Sequence, residues 1–238
     1  MEPVLVACSH GTAAPSGQAA VRGLVDAVAR RRPDLQVCSA HVDVQQPSPA
    51  EVLARLGGRP ARLVPLLLSA GYHVFVDLTD AAAGVPGATV APALGPDRRL
   101  AELMRARLGR RLPRRDETVV LAAAGSSNDS ATADCDTAAT HLGALLGRRV
   151  TAAYLSAGRP RLTDVVADEH AAGRSVLVVT YLLAPGHFAD RAAGCGAEHV
   201  TPPLLLAGEP APEALVDIVL ERFSRPWRMP PSSPPARA

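Results

Sequence analysis

Short apolar runs of strand length alternate along the chain with segments of helical periodicity. Residues 4–8 form a continuous apolar run, which is typical of a parallel strand covered on both faces. Between residues 18 and 32, apolar side chains recur at i, i+3, i+4 and i+7, which predicts a helix with one buried face. The alternation continues to residue 108 in the order β-α-β-α-β-α-β-α. It predicts an α/β fold with a parallel sheet and right-handed crossovers.

The other elements of this first unit follow from the same pattern. Ser48 is predicted to cap a helix, because Glu51 stands at the capping-box position three residues later. Residues 110–117 are charged and interrupted by a proline, and we interpret them as a linker. The predicted elements are strands at 35–44, 62–68 and 88–93, and helices at 48–56, 77–83 and 97–108.

A second copy of the pattern follows the linker. Residues 120–126 align with 4–10, residues 150–166 with 37–53, and residues 178–187 with 64–73, at offsets of 116, 113 and 114 residues. In this alignment Ser126 replaces the histidine of the first copy, whereas His187 is retained. The nearly constant offset predicts a tandem duplication of one unit of just over 110 residues.

The duplication divides the chain into three parts. Residues 1–109 form the first half, which carries the candidate site, and residues 118–223 form a degenerate second half. Residues 224–238 contain five prolines and are predicted to be disordered.

Composition and charge narrow the functional classes. The chain has 238 residues and a net charge of +2, which argues against a general nucleic-acid or membrane-surface role. No apolar run approaches the ~18 residues of a membrane-spanning helix, and no signal peptide precedes the first strand. The four cysteines are scattered without a CxxC pair, which favours reduced thiols and a cytoplasmic protein.

Two histidines are the candidate chemical groups. His10 and His73 each follow an apolar strand, in a loop that also contains a glycine. Ligands of open α/β sheets bind beyond the carboxyl ends of the strands, and neutral imidazole is a good ligand for divalent Fe, Co, Ni or Zn. Two imidazoles leave a metal ion mostly open, which suits a site that passes the metal on. The alternative interpretation is that both are ordinary surface residues of loops.

Other catalytic and binding motifs are missing from the sequence. Ser126 and Ser127 lie outside a GxSxG elbow, which argues against hydrolase chemistry. The glycines near Gly11 form neither a GxGxxG nor a GxxxxGK[ST] fingerprint, which argues against nucleotide binding.

An ordered set of short motifs runs through the first half: Ser9-His10-Gly11-Thr12, Pro47-Ser48, Leu68-Ser69-Ala70-Gly71-Tyr72-His73, Asp77 and Leu94-Gly95-Pro96. Together these motifs resemble those of one known family, the class II tetrapyrrole chelatases, and most closely the sirohydrochlorin cobalto- and ferrochelatases. The match covers the first half well, and the second half is similar as a degenerate copy.

The resemblance implies insertion of Co²⁺ or Fe²⁺ into sirohydrochlorin without ATP, for siroheme or cobalamin synthesis. It implies a fold of two similar halves, each a four-stranded parallel sheet flanked by helices, with the active-site cleft between them. His10 and His73 would be the catalytic residues and the metal ligands. The metal is then a substrate, with no permanently bound cofactor. A nickel-inserting relative and a non-catalytic metal or tetrapyrrole carrier are the alternatives.

The resemblance also assigns roles around the two histidines. Asp43 takes the place of a glutamate that often reaches the site in this family. His187 would face the cleft as a helper base or third ligand, or it is a relic of the duplication. The segment that would line the macrocycle consists of Leu68, Ser69, Ala70, Gly71 and Tyr72.

Some residues are assigned with fewer constraints. Candidate arginines for the substrate carboxylates are Arg22, Arg159 and Arg191. Thr180 and Tyr181 are expected to interrupt the third strand of the second half and only to repack its core. His41, His141, His170 and His199 have no matching context. The expected partner is sirohydrochlorin, with no nucleic acid or membrane, and the tandem chain is expected to be a monomer.

Overall fold

The computed structural model describes residues 2–69 and 72–225, with only the backbone given for residues 72–75. The element order confirms the predicted alternation of strands and helices. The strands are β1 (Val4–Ser9), β2 (Val37–His41), β3 (Ala61–Pro65), β4 (Ala88–Val90), β5 (Glu117–Ala123), β6 (Thr151–Tyr154), β7 (Ser175–Tyr181) and β8 (His199–Val200). The helices are α1 (Pro15–Arg31), α2 (Pro49–Arg55), α3 (Tyr72–Ala83), α4 (Arg98–Arg107), α5 (Asp129–Leu146), α6 (Leu162–Ala171), α7 (His187–Ala193) and α8 (Glu213–Ser224).

The strands form two four-stranded sheets with the same topology. Their orders are β2-β1-β3-β4 and β6-β5-β7-β8, and all pairs are parallel. The prediction of two similar halves, each a four-stranded parallel sheet flanked by helices, is therefore confirmed. Parallel sheets of this kind are buried on both faces, which explains the continuous apolar runs in the sequence.

The space between the two sheets is filled by helices rather than open. Side chains from α1, α4, α5 and α8 pack with both sheets into one central core. A separate core lies between the first sheet and α2 and α3, and a third lies between the second sheet and α6 and α7. Alternate residues of β1 separate these layers, since Leu5 faces the central core and Val6 the outer one. Any cleft between the halves is thus confined to the loops at the strand ends.

The last helix of each half packs against the other half. α8 contacts α1 and β3 of the first sheet, whereas α4 contacts α5 and β7 of the second. Arg222 on α8 donates hydrogen bonds to the carbonyl oxygens of Ala93 and Leu94, at 2.8 Å each. Arg99 on α4 binds the carboxylate of Glu221 at 2.7 and 2.8 Å. The halves are therefore interlocked.

The segment predicted as a linker is anchored. The carboxylate of Glu117 is buried at the start of β5 and accepts two hydrogen bonds from Arg111, at 2.5 and 2.9 Å. This hydrogen-bonded pairing with Arg111 lowers the pKa of Glu117. Arg148 donates to the carbonyl oxygens of Arg114 and Glu117. The connection between the halves is held at both ends.

Helix starts and strand ends differ from the predictions in places. The capping box of Ser48 and Glu51 is present as predicted. β3 ends at Pro65 rather than residue 68, because proline donates no ladder hydrogen bond. α3 begins at Tyr72 rather than Asp77, so its first turn contains aromatic and β-branched residues whose intrinsic preference is for strands. Of the tail predicted to be disordered, residues 226–238 lie outside the described part.

No helix in the described ranges is both long and apolar enough to span a membrane.

Candidate functional site

The strand order places a crevice at the carboxyl ends of β1 and β3. The chain leaves β1 toward β2 on one side and reaches β3 and β4 on the other, so the direction of winding reverses between β1 and β3. Ligands of open α/β sheets bind at such a switch point. His10 follows β1 directly, and residues 66–69 follow β3. The topology therefore brings the two predicted chemical segments to one edge of the sheet.

The backbone around His10 is held tightly, while its side chain is exposed. The carbonyl oxygen of His10 accepts a hydrogen bond from the amide of Asp43 at 2.9 Å, and that of Ser9 accepts one from Val42 at 3.0 Å. Gly11 has a φ of +96°, and a Cβ there would lie 2.0 Å from the carbonyl oxygen of Asp43. Only glycine fits this contact. His10 is thus presented to solvent from a fixed strand end.

His41 is a polar neighbour of this strand end that the sequence did not single out. Its Nδ1 atom lies 2.8 Å from the Oγ atom of Ser9, to which it is paired across β1 and β2. Ser9 is buried and His41 half-buried. Burial lowers the pKa of His41, so the neutral imidazole is favoured beside the Ser9 hydroxyl. The register of two parallel strands, which no short motif reveals, creates this pair.

The second predicted ligand lies at the start of α3. Ala70 and Gly71 lie outside the described residues, and for Tyr72 and His73 only the backbone is described. His73 was predicted in a loop; its backbone instead belongs to the first turn of the helix. The meeting of the His10 and His73 rings remains a prediction. Among the described side chains, no group of three His, Cys, Asp or Glu residues could hold a metal.

The residues just before this segment are fixed by the second half. Leu68 is 8% exposed and packs in the central core, which leaves little of its side chain for a ligand. Its carbonyl oxygen accepts a hydrogen bond from the hydroxyl of Tyr181 at 2.6 Å. Ser69 is half-buried beside Cys135, where burial raises the pKa of the thiol to about 12 and the Ser69 hydroxyl opposes that rise. The second half thus supports the backbone that leads to His73.

Thr180 and Tyr181 were expected to interrupt their strand, and this was wrong. Both lie within β7. The hydroxyl of Thr180 donates to the carbonyl oxygen of Pro202 at 2.9 Å, and its amide donates to the hydroxyl of Thr201 at 3.0 Å. Tyr181 bonds across the halves rather than only filling the core. Buried polar side chains with satisfied hydrogen bonds are compatible with a strand interior.

Loops from the two halves touch beside His10. A Cβ at Gly17 would lie 2.3 Å from the carbonyl oxygen of Pro185, and one at Gly186 would lie 3.0 Å from the hydroxyl of Thr12. His187 follows as the first residue of α7, with its ring 5.5 Å from that of Phe188. The loop that leads to His187 therefore adjoins the loop that carries His10.

The register of the second sheet corrects one residue assignment. In the first half, the amides of Val42 and Asp43 donate to the carbonyl oxygens of Ser9 and His10, respectively. In the second half, the amides of Leu155 and Ser156 donate to the carbonyl oxygens of Ala123 and Ala124 in the same way. Gly125, at φ +98°, packs on the carbonyl oxygen of Ala157 as Gly11 packs on Asp43. Ala124, and not Ser126, is therefore the counterpart of His10. Sequence alignment missed this because the apolar run of β5 also matches two residues out of register.

The same comparison shifts the third strand. The amide of Ala91 donates to the carbonyl oxygen of Leu63 in β3, and the amide of Thr201 donates to that of Val178 in β7. Leu63 and Val178 are therefore equivalent, and the offset between β3 and β7 is 115 residues rather than 114. His187 begins α7 as Tyr72 begins α3. The gapless alignment of His187 on His73 is thus one residue out of register with the strands.

Asp43 and the three candidate arginines are all exposed. The carboxylate of Asp43 accepts a hydrogen bond from the amide of Val44 at 2.7 Å. The Nη1 atom of Arg159 lies 3.5 Å from the Oδ2 atom of Asp164, so these two side chains form an ion pair. Within residues 2–69 and 72–225, Arg22 on α1 and Arg191 on α7 form no ion pair. Two shallow depressions, which lie along α8 and between α1 and α8, contain none of the candidate residues.

Paired parallel sheets of order 2-1-3-4, with an exposed histidine at the switch point of the first, agree with the two-half arrangement that the resemblance implied. The family model described as CbiX matches residues 4–111 and 118–193. The chain belongs to the CbiX family, which confirms the resemblance to class II chelatases. No curated protein sequence matches the chain.

Solved structures share the fold across nearly the whole chain. SirB from Bacillus subtilis with Fe³⁺ has a TM-score of 0.73 and 18% identity, and the match covers 93% of this chain and 94% of that one. SirB from Bacillus subtilis subspecies spizizenii in complex with cobalt has a TM-score of 0.71 and 15% identity, with 94% of each chain covered. CbiX, described as the terminal enzyme for biosynthesis of siroheme in denitrifying bacteria, has a TM-score of 0.62 and 17% identity, and the match covers 92% of this chain and 98% of that one.

Proposed function

We propose that this protein is a sirohydrochlorin chelatase that inserts Co²⁺ or Fe²⁺ into the macrocycle without ATP. The observation that carries the proposal is the exposed imidazole of His10, fixed at the switch point of the first sheet in a member of the CbiX family. The similar folds include SirB structures with Fe³⁺ and with cobalt, and these are consistent with a metal ion as the substrate.

His10 and His73 are assigned as the metal ligands and catalytic residues. Neutral imidazole binds divalent Fe and Co, and two such ligands leave most coordination positions open for the macrocycle nitrogens. The macrocycle loses its pyrrole N–H protons as the metal enters. A neutral imidazole can accept such protons as a general base. Holding metal and macrocycle in one orientation supplies proximity.

The remaining candidates surround this pair. Asp43 borders His10, and Ser69 to Tyr72 are assigned to the macrocycle, with Leu68 contributing mainly through its backbone. Sirohydrochlorin carries many carboxylates, which guanidinium groups bind well. Arg22 and Arg191 are exposed on the helices that begin at the touching loops, which supports them over the ion-paired Arg159.

The second half is assigned a supporting role. Ala124 and Tyr154 occupy the positions of His10 and His41, so this half lacks the first imidazole. We propose one working site per chain, arising from a tandem duplication, with residues 1–109 providing the metal ligands and residues 118–223 completing the site. We further propose a monomer, because one chain already holds both halves, and a location in the cytoplasm, since the four cysteines are free thiols.

Absorption of the macrocycle tests the proposal. Purified protein is mixed anaerobically with sirohydrochlorin and Co²⁺, Fe²⁺ or Ni²⁺, and the spectral change is compared with a protein-free control. We expect acceleration by the native protein and a loss of about 100-fold or more in His10→Ala and His73→Ala, the range for general acid–base residues. His170→Ala, an exposed histidine on α6, is the matched control. If the native protein inserts metal no faster than the protein-free reaction but binds the tetrapyrrole tightly, it is a carrier instead.

A further inference from the structure

Val44 combines two unfavourable features beside the candidate site. Its φ is +63°, and it is the only non-glycine residue with a positive φ in the described part of the chain. Its side chain is 58% exposed to solvent. A β-branched residue is a genuine outlier in this backbone region, and strained residues of this kind cluster at functional sites. Neither backbone preference nor burial accounts for a valine here.

Hydrogen bonds on both sides hold Val44 in this conformation. The amide of Gln45 donates to the carbonyl oxygen of Asp43 at 2.7 Å, which closes a three-residue turn centred on Val44. The amide of Val44 donates to the carboxylate of Asp43 at 2.7 Å. The side-chain oxygen of Gln45 accepts from the amide of Thr12 at 3.0 Å. The turn is thus tied to the loop that follows His10.

The second half shows that the fold does not require valine in this turn. Between β6 and α6, the left-handed residue of the corresponding loop is Gly158, with a φ of +101°. Glycine adopts positive φ without a steric penalty. By the register of the two halves Gly158 is the counterpart of Gln45, so the left-handed residue of this loop is β-branched in the first half and a glycine, one position further on, in the second. The strain therefore accompanies a side chain that offers only apolar surface to solvent.

We propose that Val44 is a substrate-contact residue whose methyl groups pack against the apolar macrocycle of the tetrapyrrole presented to His10. The inference rests on the proposed function. Val44 follows Asp43, whose amide is bonded to the carbonyl oxygen of His10, so its side chain borders the same strand end. It carries no group that binds metal or carboxylate. Its contribution is therefore to the affinity for the macrocycle and not for the metal.

Two substitutions that relieve strain test this contact. Val44→Gly and Val44→Asn both replace valine with residues that tolerate positive φ, so the thermal midpoint should stay equal or rise. We expect the KM for sirohydrochlorin to rise about three- to tenfold, because part of the transfer free energy of a valine side chain is lost. The KM for Co²⁺ should change by less than about twofold. Leu112→Asn, at another exposed apolar residue, should leave both constants unchanged.

Equilibrium binding separates the two ways of failing. Titration of sirohydrochlorin without metal into native protein and Val44→Asn gives the ratio of their Kd values, and we expect a rise matching that in KM. A native protein that binds but does not accelerate insertion would contradict the proposed function and leave the Kd ratio to decide on Val44. Unchanged Kd and KM in a stable Val44→Asn protein would overturn the inference. So would a lower thermal midpoint with both KM values altered together, since Val44 would then only support the fold.

Discussion

The hydroxyl of Tyr181 donates a hydrogen bond to the carbonyl oxygen of Leu68 at 2.6 Å, and this buried contact joins the two halves at the candidate site. A Cβ at Gly95 would lie 2.2 Å from the Tyr181 oxygen and 2.3 Å from the Leu68 oxygen, so the glycine makes room for it. Burial raises the pKa of Tyr181 well above its usual value, which keeps the phenol protonated as a donor. The second half thereby fixes the chain five residues before His73.

Tyr181→Phe should destabilise the protein by about 1–3 kcal/mol, because it leaves the buried carbonyl oxygen of Leu68 unsatisfied. Urea unfolding measures the change. Tyr154→Phe is the matched control, because the Tyr154 hydroxyl is also buried but makes no regular hydrogen bond to another described group. Burial raises the pKa of Tyr154 to about 12, and a weak interaction with Thr132 only partly opposes that rise. We expect a change below about 0.5 kcal/mol there. Equal losses in both variants would show that the Leu68 bond contributes nothing specific.

The fold was predictable because its main features are local. Apolar runs of five to seven residues separated by helical periodicity define buried parallel strands, and the capping box of Ser48 and Glu51 is visible in four residues of sequence. The similarity of the two halves was also visible, since the dipeptides Gln46-Pro47 and Arg159-Pro160 stand at matching positions. What failed locally was the start of α3, where β-branched and aromatic residues enter a helix.

The site was predictable only in part, because it depends on register between distant strands. His10 could be found from its place after β1. The Ser9–His41 pair depends on the pairing of β1 with β2, and the Ala124 counterpart depends on the hydrogen bonds of β5 and β6. Likewise, the contacts of Gly17 with Pro185 and of Tyr181 with Leu68 join residues more than 110 positions apart. Periodicity carries no information about such pairs.

Gly17→Ala should separate the two halves beside His10. Alanine is favoured over glycine inside a helix by about 1 kcal/mol, but the new Cβ would lie 2.3 Å from the Pro185 oxygen and 2.9 Å from Thr12. Overpacking of this kind costs about 1–3 kcal/mol, so we expect net destabilisation. Urea unfolding again provides the measurement.

Gly23→Ala is the control for this substitution. Gly23 lies in the same helix, with no neighbouring atom within 4 Å of a new Cβ. We expect it to stabilise the protein by about 0.5–1 kcal/mol. If Gly17→Ala stabilises to the same extent, the two loops are not in firm contact in solution.

His41 should make stability depend on pH. In the unfolded chain it titrates near ~6.5, and burial lowers its pKa in the folded state. As pH falls from 6.5 through the lower folded value, the unfolded chain binds more protons, and stability that is complete above ~6.5 is lost. His41→Asn, which keeps an acceptor for Ser9, should flatten this slope in urea unfolding measured from pH 5 to 8. Parallel curves for the two proteins would contradict a depressed pKa.

His187→Ala should reduce metal insertion if its loop completes the site. Gly186 and Pro185 touch Thr12 and Gly17, which places the start of α7 against the His10 loop. A helper base or third ligand at this position should contribute about 10²-fold or more to kcat/KM. Insertion of Co²⁺ into sirohydrochlorin is measured for His187→Ala and for Phe188→Ala, which removes the neighbouring ring but keeps the imidazole. A loss confined to His187→Ala supports the chemical role, whereas activity near the native level would identify the histidine as a relic of the duplication.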